Sequence, residues 1–236
     1  MKVISKDFKK CEKMKLTALL PMKEHSERVP NKNMRLFNEK PLYHCVARIL
    51  EESEFIQSIV INTDSDLIAE DAEKHFSKIN VHIRPPELQG DMVSMNDIIA
   101  HDLSIIDDEH FLQTHSTNPL LTEQTIEKAI RFYFDNLDKY DSLFSVTPLY
   151  TRLYNESGKP INHNQNILSR TQDLPPIFEE NSNFYIFSKD SFFAAGKNRI
   201  GLKPKMFPMN RFESIDIDEE FDFQLAEYFY KKNCNS

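Results

Sequence analysis

Short apolar runs alternate with amphipathic stretches along most of the chain. Leu16 to Leu20 reads as a buried strand, Pro41 to Ser53 as a helix opened by its proline, and Ile59 to Asn62 as a second strand, which makes a βαβ beginning. The alternation continues through a helix at Leu67 to Phe76, a short strand at Val81 to Ile83, a helix at Asn96 to Leu103 and an apolar strand at His110 to Thr114. Thr122 is placed to cap a helix running to Asn136, and Ser142 to Val146 supplies another buried strand. Periodicity fails between Pro148 and Pro176, a stretch rich in Asn, Arg, Pro and Gln that reads as an inserted arm. It resumes with a strand at Phe184 to Phe187, a short helix near Ser191, a strand near Met206, the acidic turn ESIDIDEE and a final helix through Phe229.

Strands alternating with helices predict an α/β, Rossmann-like, doubly wound fold whose mainly parallel sheet is covered on both faces. A chain of 236 residues suffices for one such domain with an insertion: residues 16–147 and 183–236 form the domain, 148–182 the arm, and 1–15 an N-terminal extension. In open sheets of this kind ligands bind beyond the carboxyl ends of the strands. The loops after Leu20, Thr63, Ile83, His115 and Ile215 are therefore the expected place for chemistry.

Composition narrows the choice of partners. Hydrophobic residues make up 40% of the chain and charged residues 28%, the balance of an ordinary globular protein. A formal net charge of −8 argues against the broad basic face of a nucleic-acid binder. The first residues, MKVISKDFKKCEKMK, lack the apolar run of a signal peptide, and no later window is apolar enough to span a bilayer. Cys11, Cys45 and Cys234 are widely spaced, without a C-x-x-C pair, which fits a reducing compartment. The expectation is a cytoplasmic protein with neither a nucleic-acid nor a membrane partner. No histidine spacing matches a zinc motif.

Two charge clusters carry candidate chemistry. After the first strand, LLPMKEHSERVPNKN crowds Lys23, Arg28 and Lys32 together, and residues 23–40 are net positive by two. Mobile ammonium groups, a planar guanidinium and loop N–H donors suit a polyphosphate, although a basic turn can also be merely solvated. The only glycines are Gly90, Gly158, Gly196 and Gly201, so the chain has neither a Walker loop nor a GxGxxG fingerprint, which disfavours kinase and dehydrogenase readings. Near the C-terminus, FESIDIDEEFD sets Asp216 and Asp218 two residues apart, so extended backbone projects both carboxylates to one side, where they can hold Mg²⁺. Asp218 could equally supply negative charge at the N-terminus of the last helix.

The two clusters, with NTDSDLIAEDA, RPPELQGD, a strand leading to NPLL, DSLFSVT and ENSNFYIF between them, resemble the acylneuraminate cytidylyltransferase family from about Thr17 to Phe229. Members of that family make CMP-sialic acid and related CMP-nonulosonates, and CMP-Kdo synthetases are their cousins. The resemblance implies a nucleotidyltransferase of the nucleotide-diphospho-sugar transferase type that joins CMP from CTP to an acidic nine-carbon sugar with Mg²⁺, as a homodimer. By the same resemblance Lys23 and Lys32 contact the CTP phosphates beside Arg28, Ser26 and Asn33 order the loop, and Arg84 and Asp91 lie by the cytidine. Asp216 and Asp218 hold the metal, with Lys23, Lys32 and Asp216 carrying catalysis. His115, Arg170, Asn181 and Tyr185 face the sugar, and the arm reaches a partner subunit. The chain departs from the family pattern at Lys23, usually arginine, at His115, usually glutamine, at Ser182, usually glycine, and at Met95, often serine. The asparagine after Lys32 favours a nonulosonate over Kdo. The alternatives are the same transfer to another acceptor such as Kdo, or a weakly catalytic relative that binds a nucleotide or a partner.

Overall fold

The computed structural model describes residues 14–167 and 169–234, so the N-terminal extension, with Cys11, lies almost wholly outside the described residues. The elements in chain order are β1 (Leu16–Leu19), β2 (Leu36–Phe37), β3 (Lys40–Pro41), α1 (Tyr43–Glu52), β4 (Ile56–Thr63), α2 (Asp66–His75), β5 (Ile79–Ile83), α3 (Met95–Ile105) and β6 (His110–Thr114). They continue with α4 (Glu123–Asp135), β7 (Ser142–Leu149), β8 (Ile177–Ser188), α5 (Lys189–Ala194), β9 (Pro204–Pro208) and α6 (Glu220–Cys234). Seven strands form one sheet in the order β5-β4-β1-β6-β8-β7-β9. Neighbours run parallel except around β8, which is antiparallel to both β6 and β7.

The unbroken apolar run of β1 is explained by burial on both faces. Leu16, Ala18 and Leu20 pack with Val46 and Leu50 of α1, Ile68 of α2 and Ile126 and Ile130 of α4. Leu19 points to the opposite layer, where Val60 of β4, Ile99 and Leu103 of α3 and Phe192 of α5 meet it. Each fully buried side chain of this kind contributes about 1.5–3 kcal/mol.

Local signals set several boundaries. Thr122 caps α4, its hydroxyl accepting from the backbone N–H of Thr125 at 3.3 Å. Pro41 does not open a helix: it pairs with Leu36 in the β2–β3 ribbon, whose turn uses left-handed Asn38 and Glu39, and α1 starts at Tyr43. The Asp64 carboxylate accepts from the backbone N–H of Glu24 at 2.8 Å and so ties the first loop to the end of β4. Ser65 occupies the cap position of α2 without a side-chain cap bond. The histidines, silent by spacing, do cluster: Tyr43 Oη and His44 Nε2 both bond Asp71, His44 at 2.6 Å, and His75 lies 3.2 Å from the same carboxylate.

The largest departure is β8, which begins at Ile177, seven residues before the apolar segment at Phe184. Its outer half, IFEENSN, is polar because it pairs with Val146 to Leu149 of β7 outside the main core. Residues 148–182 are thus the outer ends of β7 and β8 with the loop between them, and β8 crosses position 182 without a break in the chain of strand residues. The register of the pair slips between Phe144 and Val146. Asn181 fills the slip, accepting from Ser145 Oγ at 2.6 Å and from the Asn183 N–H at 3.2 Å while donating to Thr147 Oγ1 at 3.0 Å.

Ser182 adopts φ 56°, a left-handed conformation that strains any side chain. Ser182→Gly is expected to stabilise the protein by about 1 kcal/mol, read by chemical unfolding. A loss of stability would show instead that the 3.2 Å bond from Tyr185 Oη to Ser182 Oγ matters more than the strain. No helix among the described residues is long and apolar enough to cross a membrane.

Candidate active site

A cavity of about 260 Å³ opens beyond the carboxyl ends of β1, β5 and β6. Seven of the expected site residues line it: Lys23, Ser26, Lys32 and Asn33 from the first loop, Arg84 and Asp91 from the segment after β5, and His115 from the end of β6. The middle of the first loop is held in place by buried Val29. Val29 packs with Phe37, Ile217 and Phe223, so the loop and the acidic turn share a small core of their own. Asn33 staples it further, donating to Lys23 O at 2.9 Å and accepting from Ser116 Oγ at 2.6 Å. Left-handed Asn31, with φ 52°, turns the chain between them, a conformation asparagine tolerates better than most residues.

With Ile217 buried beneath it, the acidic turn presents Asp216 and Asp218 on the other side. Lys32 donates to Ile217 O and sits 3.9 Å from Asp218. Burial pushes the Lys32 ammonium below its ordinary value, partly offset by Asp218 and Asp216. Asp216 is pushed upward, chiefly by burial, although a hydrogen bond from Thr117 and the charge of Lys32 work against it. Its Oδ1 is buried with no hydrogen-bond partner. An orphaned carboxylate oxygen beside a second carboxylate fits a hard divalent cation, which takes oxygen ligands and keeps several waters.

Each cation of the first loop lies beside an acid. Lys23 bonds Asp91, and Arg28 donates to Asp218 Oδ1 at 2.8 Å. Arg84 is buried and spends its donors on structure: Nε bonds Asn62 Oδ1 at 2.7 Å, and Nη2 bonds Met22 O at 3.0 Å and Asn62 O at 2.8 Å. Burial lowers its guanidinium from the ordinary value.

Arg170, Asn181 and Tyr185 are not brought to this cavity. Arg170 is exposed on the arm and paired with Asp173 at 2.7 Å. Asn181 is consumed by the strand slip. Tyr185 is fully buried, its hydroxyl bonding Glu180 and Ser182, and burial pushes it up to about 12. Sequence reasoning missed Ser116 and Thr117, which line the cavity and hold Asn33 and Asp216, although their place just after β6 was the available signal. It missed Arg199 altogether.

A family model described as cytidylyltransferase matches residues 17–233. The chain belongs to the cytidylyltransferase family. An N-acylneuraminate cytidylyltransferase of Escherichia coli is 28% identical over 225 residues, covering 90% of this chain and 51% of that protein. This member of the family thus spans about half the length of several of the curated relatives it matches. A pseudaminic acid cytidylyltransferase of Campylobacter jejuni is 25% identical over 236 residues, covering 94% of this chain and 99% of its own. Among solved structures, a CMP-2-keto-3-deoxy-manno-octonic acid synthetase complexed with CTP superimposes with a TM-score of 0.71 at 10% identity, covering 93% of this chain and 99% of the other. A 4-diphosphocytidyl-2C-methyl-D-erythritol synthase from Anaerococcus prevotii gives 0.68 at 12% identity, covering 94% and 99%. At those identities the two structures establish the fold, a mainly parallel nucleotidyltransferase sheet.

Proposed function

We propose that this chain transfers CMP from CTP to the anomeric hydroxyl of an acidic, sialic acid-like nine-carbon sugar and releases pyrophosphate. The observation that carries the reading is a cavity at the carboxyl end of the sheet lined by Lys23 and Lys32, with the acidic turn joined to its wall through Lys32, which bonds Ile217 O and lies 3.9 Å from Asp218, and through Thr117, which bonds Asp216. The named activities of the E. coli and C. jejuni relatives support the choice of nucleotide and of acceptor class.

In the proposed reaction the anomeric oxygen bonds to the α-phosphorus as the bond to pyrophosphate breaks, and the sugar C–O bond stays intact. Lys23, Lys32 and Arg28 stabilise charge on the departing pyrophosphate, a form of catalysis in which positioned charge supplies most of the rate. Incoming phosphates compete with Asp91 for Lys23, and Arg28 must exchange Asp218 for the nucleotide. Asp216 and Asp218 would hold Mg²⁺, which when bound supplies Lewis-acid polarisation of phosphate oxygens. Asn33 and Ser116 keep the lysine-bearing loop from collapsing toward the strands.

We also propose a cytoplasmic homodimer. The arm exposes Tyr150, Tyr154, Ile161 and Ile167, a run of apolar side chains suited to a second copy, and such a contact would bring Arg170 toward a partner's sugar.

The test is pyrophosphate release from CTP and Mg²⁺ with a panel of nonulosonates and with Kdo. Release with a nine-carbon acid is expected. Release with Kdo alone would move the acceptor to the eight-carbon class, and silence across the panel with CTP binding intact would make the chain a nucleotide-binding relative.

A further inference from the structure

Behind His115 lies a row of side chains whose donors and acceptors admit one arrangement. A guanidinium can only donate, so Gln113 turns its carbonyl to Arg199, whose Nη1 bonds Gln113 Oε1 at 2.6 Å. The Gln113 amide nitrogen therefore faces away. One of its N–H groups donates to Thr114 O at 2.8 Å, and the other is left for His115 Nε2 at 3.2 Å. An amide N–H cannot accept, so Nε2 must be the bare ring nitrogen and the single imidazole proton sits on Nδ1. A doubly protonated ring would set N–H against N–H at that contact.

We propose that Arg199 is a positioning residue that acts through Gln113 to hold His115 as a neutral imidazole protonated on Nδ1, so that this wall of the cavity offers a hydrogen-bond donor and not a base. The inference rests on the proposed reading for its consequence, that the group recognised by His115 is an acceptor oxygen of the sugar, and on the hydrogen-bond geometry alone for the tautomer.

Arg199 is itself fixed. Its guanidinium lies 3.9 Å over the ring of Tyr185, and that ring is anchored by hydroxyl bonds to Glu180 and Ser182. The turn that carries it is closed by Asn198, whose side-chain Oδ1 accepts from the Ile200 N–H at 2.9 Å, while Ile200 packs on the core layer of Leu19 and Phe187. Tyr185, expected to face the sugar, thus serves as the platform for the arginine. Burial and the charge of Arg199 push His115 down to about 4, in agreement with a ring that stays neutral. The other charged groups around the cavity are Lys23 and Lys32 of the first loop and Arg84 and Asp91 after β5.

The full chain labelled with ¹⁵N-histidine tests this without any substrate. Long-range ¹H–¹⁵N correlation, with the His115 signals assigned by their loss in His115→Gln, is expected to show a bare Nε2 and a protonated Nδ1 that do not change down to about pH 5. Arg199→Met is expected to mix the tautomers, to move the His115 titration toward the ordinary value of about 6.5, and to raise KM for the sugar roughly tenfold with KM for CTP unchanged. Gln113→Leu, with Arg199 intact, should release the ring in the same way, and Arg199→Lys, which keeps a donor, should restore the bare Nε2. A protonated Nε2 in the wild type, or an unchanged tautomer in both Arg199→Met and Gln113→Leu, would overturn the proposal. A locked tautomer in a protein inactive on every acidic sugar would instead sink the functional reading and leave the lock standing.

Discussion

Asp216→Asn is expected to abolish turnover and, in the same protein, to raise the melting temperature measured without divalent cations. The buried Oδ1 of Asp216 has no partner, and burial holds the carboxyl above its ordinary value. An ionised Asp216 therefore costs stability, a cost the proposed reaction would explain, whereas asparagine keeps the shape and drops the charge. In the proposed reaction Asp216 would help hold the metal, and loss of such a group is worth roughly a thousandfold or more in rate. The gain in stability is expected to be about 1 kcal/mol near neutral pH, the size typical when a functional compromise is removed. Its sign follows from the direction of the shift. A carboxyl raised in the folded state contributes its stability below the unfolded value and loses it as pH rises through the folded value. The variant's advantage should thus be present at neutral pH and vanish below about pH 4, where aspartate is protonated in both states. Thermal unfolding across that range checks it, and a variant less stable than wild type at neutral pH would mean that Asp216 is a structural anchor.

Lys32→Met should shift stability in the opposite direction. The lysine side chain is only 11% exposed, donates to Ile217 O and is the cation that acts on both Asp216 and Asp218, so its removal orphans a carbonyl and leaves the buried Asp216 without its compensating charge, while Asp218 keeps Arg28. A fall in stability of about 1–3 kcal/mol is expected, together with a loss of turnover on the order of a hundredfold to a thousandfold. Added Mg²⁺ should restore part of the stability if the proposed site at Asp216 and Asp218 holds it. A variant that loses turnover with no change in stability would contradict the shared-charge account of the turn.

Opposite stability effects at Asp216 and Lys32 would separate a catalytic compromise from a structural contact. That separation was not visible in the sequence. The placement of Lys23, Lys32 and Asn33 was legible because a basic loop after a first apolar strand must lie at the ligand end of an open sheet, and Thr122 was legible because a cap needs only local chemistry. The outer half of β8 was not legible: IFEENSN lacks an apolar period because it pairs beyond the core, and its Asn181 bonds to β7 residues 34 and 36 positions earlier. Pro41 misled for a related reason, since the left-handed pair Asn38 and Glu39 makes a ribbon turn that precedes the helix. Arg199 gives no local signal at all. Its meaning comes from Gln113, 86 residues before it in the chain, and from the face of Tyr185. Arg170 carried the better sequence argument, yet within one chain it spends its charge on Asp173 three residues away.

The reaction proposed for this cavity is attack by the anomeric hydroxyl of an acidic sugar on the α-phosphorus of CTP. The most direct measurement is to supply the wild-type protein with CTP, Mg²⁺ and a nonulosonate carrying ¹⁸O at the anomeric hydroxyl, and to locate the isotope in the products by mass spectrometry and ³¹P resonance. The account predicts ¹⁸O in the bridge between sugar and phosphorus of the CMP-sugar and none in pyrophosphate. Isotope in pyrophosphate, or a CMP-sugar whose bridging oxygen comes from the nucleotide, would contradict it.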